Sequence, residues 1–414
     1  MAGRRIPAPL AYLTKAILLA SLPLVIYGGY KYGLYGLIST NPPAQFTYAG
    51  IALLYFVSSA PSRREMILTV AGGLVLLFAF SLLRPSDFAG ETLVRYGAFV
   101  GIAGLIAMTG RAICARDKEP ALETLARCLI FVVLGIMLGT MLELASQVRP
   151  MKFDLFLYSI DVRFGTALSF VIGRLIRAWS PFGQFEIVVY HSLPFAFAVL
   201  YAAHIRRGQR GPVDILTMMW VNAVVGYGLY FLYPAAGPLY AFGPAFPYAA
   251  PALRELTLQV VRLNAPPNAM PSLHMAGALL IWWNARHWKL GRKIALGYTV
   301  LTGMAAVGFG EHYFLDLVVA FPYALAIQAA VSKVPRRLPA LAIGAVMTAA
   351  WFIALLFAAK QLAAAPLWMM WTLAAITAAV PLSANARLLA ADPYVDEGAP
   401  AADTLQLAVA PDCG

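Results

Sequence analysis

Apolar runs of about 20 residues, the length that crosses a hydrocarbon core of about 30 Å as a helix, recur along the chain and are separated by short polar and basic clusters. This pattern predicts membrane-spanning helices over 16–38, 44–60, 65–83, 93–113, 125–146, 184–203, 213–233, 271–286, 294–311, 312–331, 338–359 and 364–385. The fold class expected is therefore all-α, a polytopic transmembrane helical bundle of about 12 spans. The first run follows Arg4, Arg5 and Lys15, is too long for a signal peptide and lacks a small-residue cleavage site, so it reads as a retained span. Segment 153–180 breaks the pattern. Phe153, Phe156, Leu157 and Ile160 fall at helical spacing beside Asp154, Asp161 and Arg163, which predicts an amphipathic helix lying in the interface. Residues 386–414, rich in Ala, Pro and Asp, read as a disordered cytoplasmic tail.

Composition agrees with the pattern. Of 414 residues 61% are hydrophobic and 12% charged, where a soluble domain has about 25% charged. A soluble globule is excluded. The net charge of +12 does not signal nucleic acid, because the basic residues sit between apolar runs as the positive-inside rule describes. With the N-terminus cytoplasmic, 20 of the 31 basic residues fall on the inner side. Both termini are thus expected in the cytoplasm of a multi-pass cell-membrane protein.

The outer cations are uneven. Arg149, Lys152, Arg163, Arg174, Arg177, Arg254 and Arg262 fall in two loops, 147–183 and 234–270. Attraction of an anionic substrate and contact with anionic lipid headgroups both account for them. Cys114, Cys128 and Cys413 are far apart and read as buried structural thiols, without metal or disulfide spacing.

Five histidines occur. His204 and His287 sit beside basic clusters at inner helix ends, and His191, near Pro194, suits a structural hydrogen bond. His274 and His312 both fall at the outer surface. His274 closes Asn268-Ala269-Met270-Pro271-Ser272-Leu273-His274, where Pro271 at the first helical position and the free N–H groups of that turn make an anion site close to Ser272. His312 opens Gly310-Glu311-His312-Tyr313-Phe314-Leu315-Asp316. Asp316, one turn deeper on the same face, is the expected partner of the imidazole, fixing its tautomer and leaving the other ring nitrogen as nucleophile. A self-satisfying His–Asp pair and a metal site of His274, His312 and Asp316 are the alternatives.

The pair PSLH (271–274) and HYFLD (312–316) resembles the type-2 phosphatidic acid phosphatase superfamily, which typically shows Lys-x6-Arg-Pro, Pro-Ser-Gly-His and Ser-Arg-x5-His-x3-Asp over six core helices. The resemblance implies a six-helix catalytic core at 122–333. Outside it would lie N-terminal helices at 1–121 and a C-terminal helical pair at 334–385. Leu273 replaces the motif glycine, Ala305-Ala306 stands where Ser-Arg would stand, and the first motif is absent from the outer loop, which carries Tyr233-Pro234-Ala235-Ala236-Gly237-Pro238. These departures resemble the inositol phosphorylceramide synthase branch.

The resemblance implies His312 as nucleophile forming a phosphohistidine, Asp316 orienting its ring and His274 as acid and then base. Ser272, Asn268, Arg262 and Arg254 are the expected phosphate-binding residues, with no cofactor and no metal. The expected partners are a phospholipid donor, an alcohol acceptor and membrane lipids, with no nucleic acid. Few cations suit a singly charged phosphodiester, so a phosphotransferase moving a phosphorylated headgroup is expected on the non-cytoplasmic face. A lipid phosphate phosphatase on the same site is the alternative. A transporter or flippase is the alternative of another class, although it predicts ionisable groups near the midplane and an inverted repeat. Loop 234–270 reads either as a water-excluding lid or as an irregular connector.

Overall fold

The computed structural model describes residues 42–83, 89–114, 119–206 and 213–391, with Pro23 and Tyr27 before them. The expected first span and residues 392–414 of the expected tail, Cys413 included, lie outside the described residues apart from those two positions. The described chain is overwhelmingly helical. In order run α1 (Pro42–Ser58), α2 (Arg63–Leu83), α3 (Ala89–Cys114) and α4 (Glu119–Val148). After strand β1 (Met151–Lys152) come α5 (Asp154–Asp161), α6 (Leu168–Ala178), α7 (Ser180–His191), α8 (Leu193–Arg206), α9 (Ile215–Leu232) and α10 (Pro238–Phe242). Strand β2 (Val261–Arg262) precedes α11 (Leu273–Asn284), α12 (Lys289–Gly308), α13 (Phe314–Val331), α14 (Leu338–Phe357), α15 (Ala359–Ala363) and α16 (Leu367–Ala390).

Seven described helices (α2, α3, α4, α9, α13, α14 and α16) are long and apolar enough to cross a membrane, or up to nine spans if each of two bent pairs is one. The chain is a multi-pass, all-α membrane protein by this measure, with fewer qualifying helices than the apolar runs suggest. The differences have local causes. The run 184–203 breaks by 59° between α7 and α8, where Pro194 lacks the N–H that would continue the ladder. Segment 153–180 is a second broken pair, bent by 84° after a turn that ends on Gly165 at φ 104°. The run 271–286 yields only the 12 residues of α11, a rise of about 18 Å.

Loop 264–272 precedes this short helix, and its backbone groups find partners inside the protein. The Ala269 N–H donates to Ala235 O at 2.9 Å and the Ser272 N–H to Asp316 O at 3.2 Å. Irregular backbone is tolerated at membrane depth only when satisfied in this way.

Two apolar cores meet around these loops. One gathers Ile51 and Tyr55 of α1, Phe131 of α4, Phe197 of α8 and most of α11 and α13. The other gathers Leu157 and Ile160 of α5, Tyr233, Met270, Tyr313 and the facing sides of α14 and α16. Loops 147–183 and 234–270, expected on the outer side, are joined by antiparallel pairing of β1 with β2, Met151 opposite Arg262 and Lys152 opposite Val261.

Four further expectations change. Segment 153–161 does not present its aspartates to water: Asp154 and Asp161 are fully buried, held by backbone donors described below. Cys114 is exposed while Cys128 is buried, its Sγ 4.0 Å from Met108 Sδ. Residues 386–390 continue α16, because Leu388 of the run Arg387-Leu388-Leu389 still packs into the core. Pro271 precedes the Ser272 cap and is not the first helical residue.

Candidate active site

The site is assembled by two helix starts that satisfy each other. At α13 the first amides lack intrahelical acceptors. The Asp316 carboxylate turns back to accept from the Tyr313 N–H at 2.7 Å, and Asp161 of α5 accepts from the Leu315 N–H at 3.0 Å. Negative charge there also complements the helix dipole. At α11, Ser272 is the N-cap and its hydroxyl accepts from the Met275 N–H at 3.3 Å. Because the Ser272 N–H is bonded to the Asp316 carbonyl, the starts of α11 and α13 are fixed together. Each carries one histidine, and the rings of His274 and His312 lie 6.2 Å apart at 65°.

His312 is 1% exposed. Its Nδ1 lies 2.8 Å from Ala269 O. A carbonyl only accepts, so Nδ1 carries the proton and Nε2 keeps the lone pair. The structure differs here from the sequence expectation. Asp316 Oδ2 is 3.7 Å from Nδ1, beyond hydrogen-bond range, because that oxygen already serves the Tyr313 amide. The Ala269 carbonyl orients the ring, and Asp316 lies close to it without a hydrogen bond. Burial pushes the His312 imidazole down to about 4, partly offset by the Ala269 contact and the charge of Glu311.

His274 stacks on Tyr190 of α7, with centroids 3.9 Å apart at 17°. The Tyr190 ring fixes one face of the imidazole and leaves its edge toward His312. Nothing in the spacing of residues 180–191 marks Tyr190 as a site residue.

Beneath the histidines Asp154 forms a hub. It accepts from the Gly237 N–H at 2.8 Å, from the Ala236 N–H at 3.0 Å and from the Tyr313 hydroxyl at 3.0 Å. Loop 233–238 is thereby pinned beside Tyr313, the neighbour of His312. Gly237 has φ 99°, and a Cβ there would fall 2.5 Å from the carbonyl oxygens of Gly310 and Glu311. No other residue permits this approach. Asp154 and Asp161 are seven residues apart, two turns on one helical face. That spacing was the signal available in the sequence.

The expected phosphate-binding residues are distributed differently from the expectation. Ser272 is fully buried, its hydroxyl and N–H both engaged in capping. Asn268 donates its amide to Glu311 Oε2 at 2.9 Å. Arg262 is exposed on β2 opposite Met151, and Arg254 is exposed in a single 3-10 turn, Leu253–Glu255. Other loop cations hold structure together. Lys152 is fully buried with its ammonium on Arg149 O, and burial holds it below the usual lysine range. Arg163 bonds Ala363 O, Arg174 bonds Pro247 O at 3.3 Å, and Arg177 lies 5.9 Å over the Tyr248 ring.

Of the other histidines, His204 Nε2 contacts Asn284 O at 3.0 Å and His287 accepts from Arg286 Nε at 2.8 Å. His191, expected to be hydrogen-bonded, has a buried Nδ1 without a partner. Among the described residues no group of three or more His, Cys, Asp or Glu is arranged to hold a metal ion.

No curated protein and no solved structure matches the chain. Residues 155–330, the stretch from α5 to α13 that contains both histidine motifs, match the family model of the PAP2 (type-2 phosphatidic acid phosphatase) superfamily, which points to phosphatase or phosphotransferase chemistry.

Proposed function

We propose that the chain is a membrane phosphotransferase that moves a phosphorylated headgroup from a phospholipid to an alcohol acceptor through a phosphohistidine on His312. The observation that carries this reading is the His274–His312 pair, 6.2 Å apart, with Nδ1 of His312 committed to Ala269 O and Nε2 available. The Nε2 lone pair attacks phosphorus, and the bond from phosphorus to the diacylglycerol oxygen breaks. His274, protonated from solvent as the phosphodiester anion binds beside it, donates that proton to the leaving oxygen. The acceptor hydroxyl then gives its proton to neutral His274 while its oxygen attacks phosphorus, which frees His312. Asp316, 3.7 Å from Nδ1, stabilises the positive charge that grows on the ring.

Two features favour transfer over hydrolysis. Ala305 and Ala306, both fully buried, occupy the place of the Ser-Arg of the wider superfamily pattern. Fewer cations suit a singly charged diester. PSLH with HY-x2-D and no preceding arginine likewise supports a reading akin to the inositol phosphorylceramide synthase branch. The distribution of basic residues supports a site on the non-cytoplasmic face.

The test supplies purified protein with phospholipid labelled in its headgroup phosphate, with and without an alcohol acceptor. Label is expected to move to the acceptor, and His312→Ala is expected to lower turnover by about 10³-fold or more. Turnover unchanged in His312→Ala rules out the nucleophile assignment. Release of free phosphorylated headgroup regardless of acceptor assigns a hydrolase.

A further inference from the structure

A carboxylate stands beside the nucleophile, and neither the sequence reading nor the mechanism uses it. Glu311 immediately precedes His312 and is only partly buried. Both its oxygens are held in place, Oε2 by the Asn268 amide at 2.9 Å and Oε1 by the Tyr240 hydroxyl at 3.3 Å. Its charge acts on the His312 ring. Each carboxylate oxygen has a second lone pair, so one donor apiece does not exhaust them.

Asn268 supplies the second, independent observation. Its NH2 must face Glu311, because a carboxylate only accepts, and this fixes the orientation of the amide. The other end, Oδ1, is buried and without a partner. A buried acceptor left unmatched is unfavourable, so in a working site a donor is expected to meet it. Residues 268 and 311, the second directly beside His312, therefore bring together acceptors and a negative charge. This is the wrong chemistry for phosphate oxygens and the right one for groups with O–H or N–H.

We propose that Glu311 and Asn268 Oδ1 form a headgroup subsite that takes a hydrogen-bond-donating group, vicinal hydroxyls or a primary ammonium, and disfavours a doubly charged phosphomonoester. This rests on the phosphotransfer reading above, with His312 as the attacking residue. The subsite makes the headgroup beyond the phosphate a determinant of rate, and it assigns Asn268 a role opposite to phosphate binding.

The experiment offers four lipids of identical acyl chains to the full-length protein in mixed micelles with an alcohol acceptor. Phosphatidic acid is the monoester, phosphatidylcholine a diester without headgroup donors, phosphatidylethanolamine a diester with an ammonium, and phosphatidylglycerol a diester with hydroxyls. The wild type is expected to prefer one or both donor-bearing diesters, and the faster of the two separates ammonium from hydroxyl recognition. Glu311→Gln is expected to shrink that preference over phosphatidic acid by about ten-fold, equivalent to about 1.4 kcal/mol.

Because the readout is a ratio within one preparation, partial misfolding cancels. Asn268→Ala, which removes the unmatched acceptor, moves the ratio the same way. A ratio unchanged in both variants, or a wild type that prefers phosphatidic acid or phosphatidylcholine, overturns the subsite while leaving the His312 assignment intact. Full turnover in His312→Ala, or no turnover of any of the four lipids, overturns both.

Discussion

His312 shows how far a single residue's chemistry is set by its neighbours. Burial holds its imidazole down to about 4, so the ring remains neutral well below the pH at which a free histidine titrates. The acid limb of the kcat/KM profile that belongs to His312 is therefore expected near pH 4, because protonation of Nε2 removes the attacking lone pair. A limb near 6.5 contradicts the buried environment. Glu311 raises this value, so Glu311→Gln is expected to move the limb to lower pH. That His274 and His312 stand at two helix starts was legible in the sequence. The partner of His312 was not. Asp316 lies at the right helical spacing, yet Tyr313 N–H claims its oxygen, and the carbonyl that replaces it comes from a residue 43 positions away. Such long-range backbone acceptors leave no side-chain signature.

At the scale of elements, the site depends on loops and helix ends packed at distances that only glycine permits. Leu273, which stands where the related motif has glycine, fills the space above Gly226 of α9. A Cβ on Gly226 would fall 2.1 Å from Leu273 Cδ2. Gly226→Ala is expected to lower stability by about 1–3 kcal/mol through overpacking, measured as the melting midpoint in detergent. Combining it with Leu273→Gly is expected to recover part of that loss, as coupled neighbours do. Equal losses in the presence and absence of Leu273 contradict the packing pair.

Asp154 makes a second case. Asp154→Ala leaves two amides and the Tyr313 hydroxyl without their acceptor, at a cost of about 1–3 kcal/mol for each buried group left unmatched. A melting midpoint unchanged from wild type contradicts the hub. The apolar runs made α2, α3, α4, α9, α13, α14 and α16 legible to within six residues of their ends, and gave no sign of the short α15. They misread α5, whose aspartates resemble a wetted face until the amides of loop 233–238 and α13 are known to lie against it. They also overran α11, since nothing in an apolar run reveals where its helix begins and ends.

For the whole molecule, loops 147–183 and 234–270 act as one unit, joined by the β1–β2 ribbon and by Ser146 Oγ donating to Ala265 O at 3.1 Å. They meet above the junction of the two apolar cores, where the histidines lie. With the native cysteines replaced, a cysteine at exposed Tyr248 is expected to react with an impermeant maleimide in intact cells. One at exposed Lys333 is expected to react only after permeabilisation. The reverse pattern contradicts the assigned orientation. The account as a whole turns on a covalent bond between phosphorus and His312. Rapid quenching of the protein with phosphate-labelled phospholipid, followed by peptide mapping, tests it most directly. Acid-labile, alkali-stable label is expected on the peptide containing His312 and absent in His312→Asn. Active enzyme that carries no such label, or label that persists in His312→Asn, contradicts it.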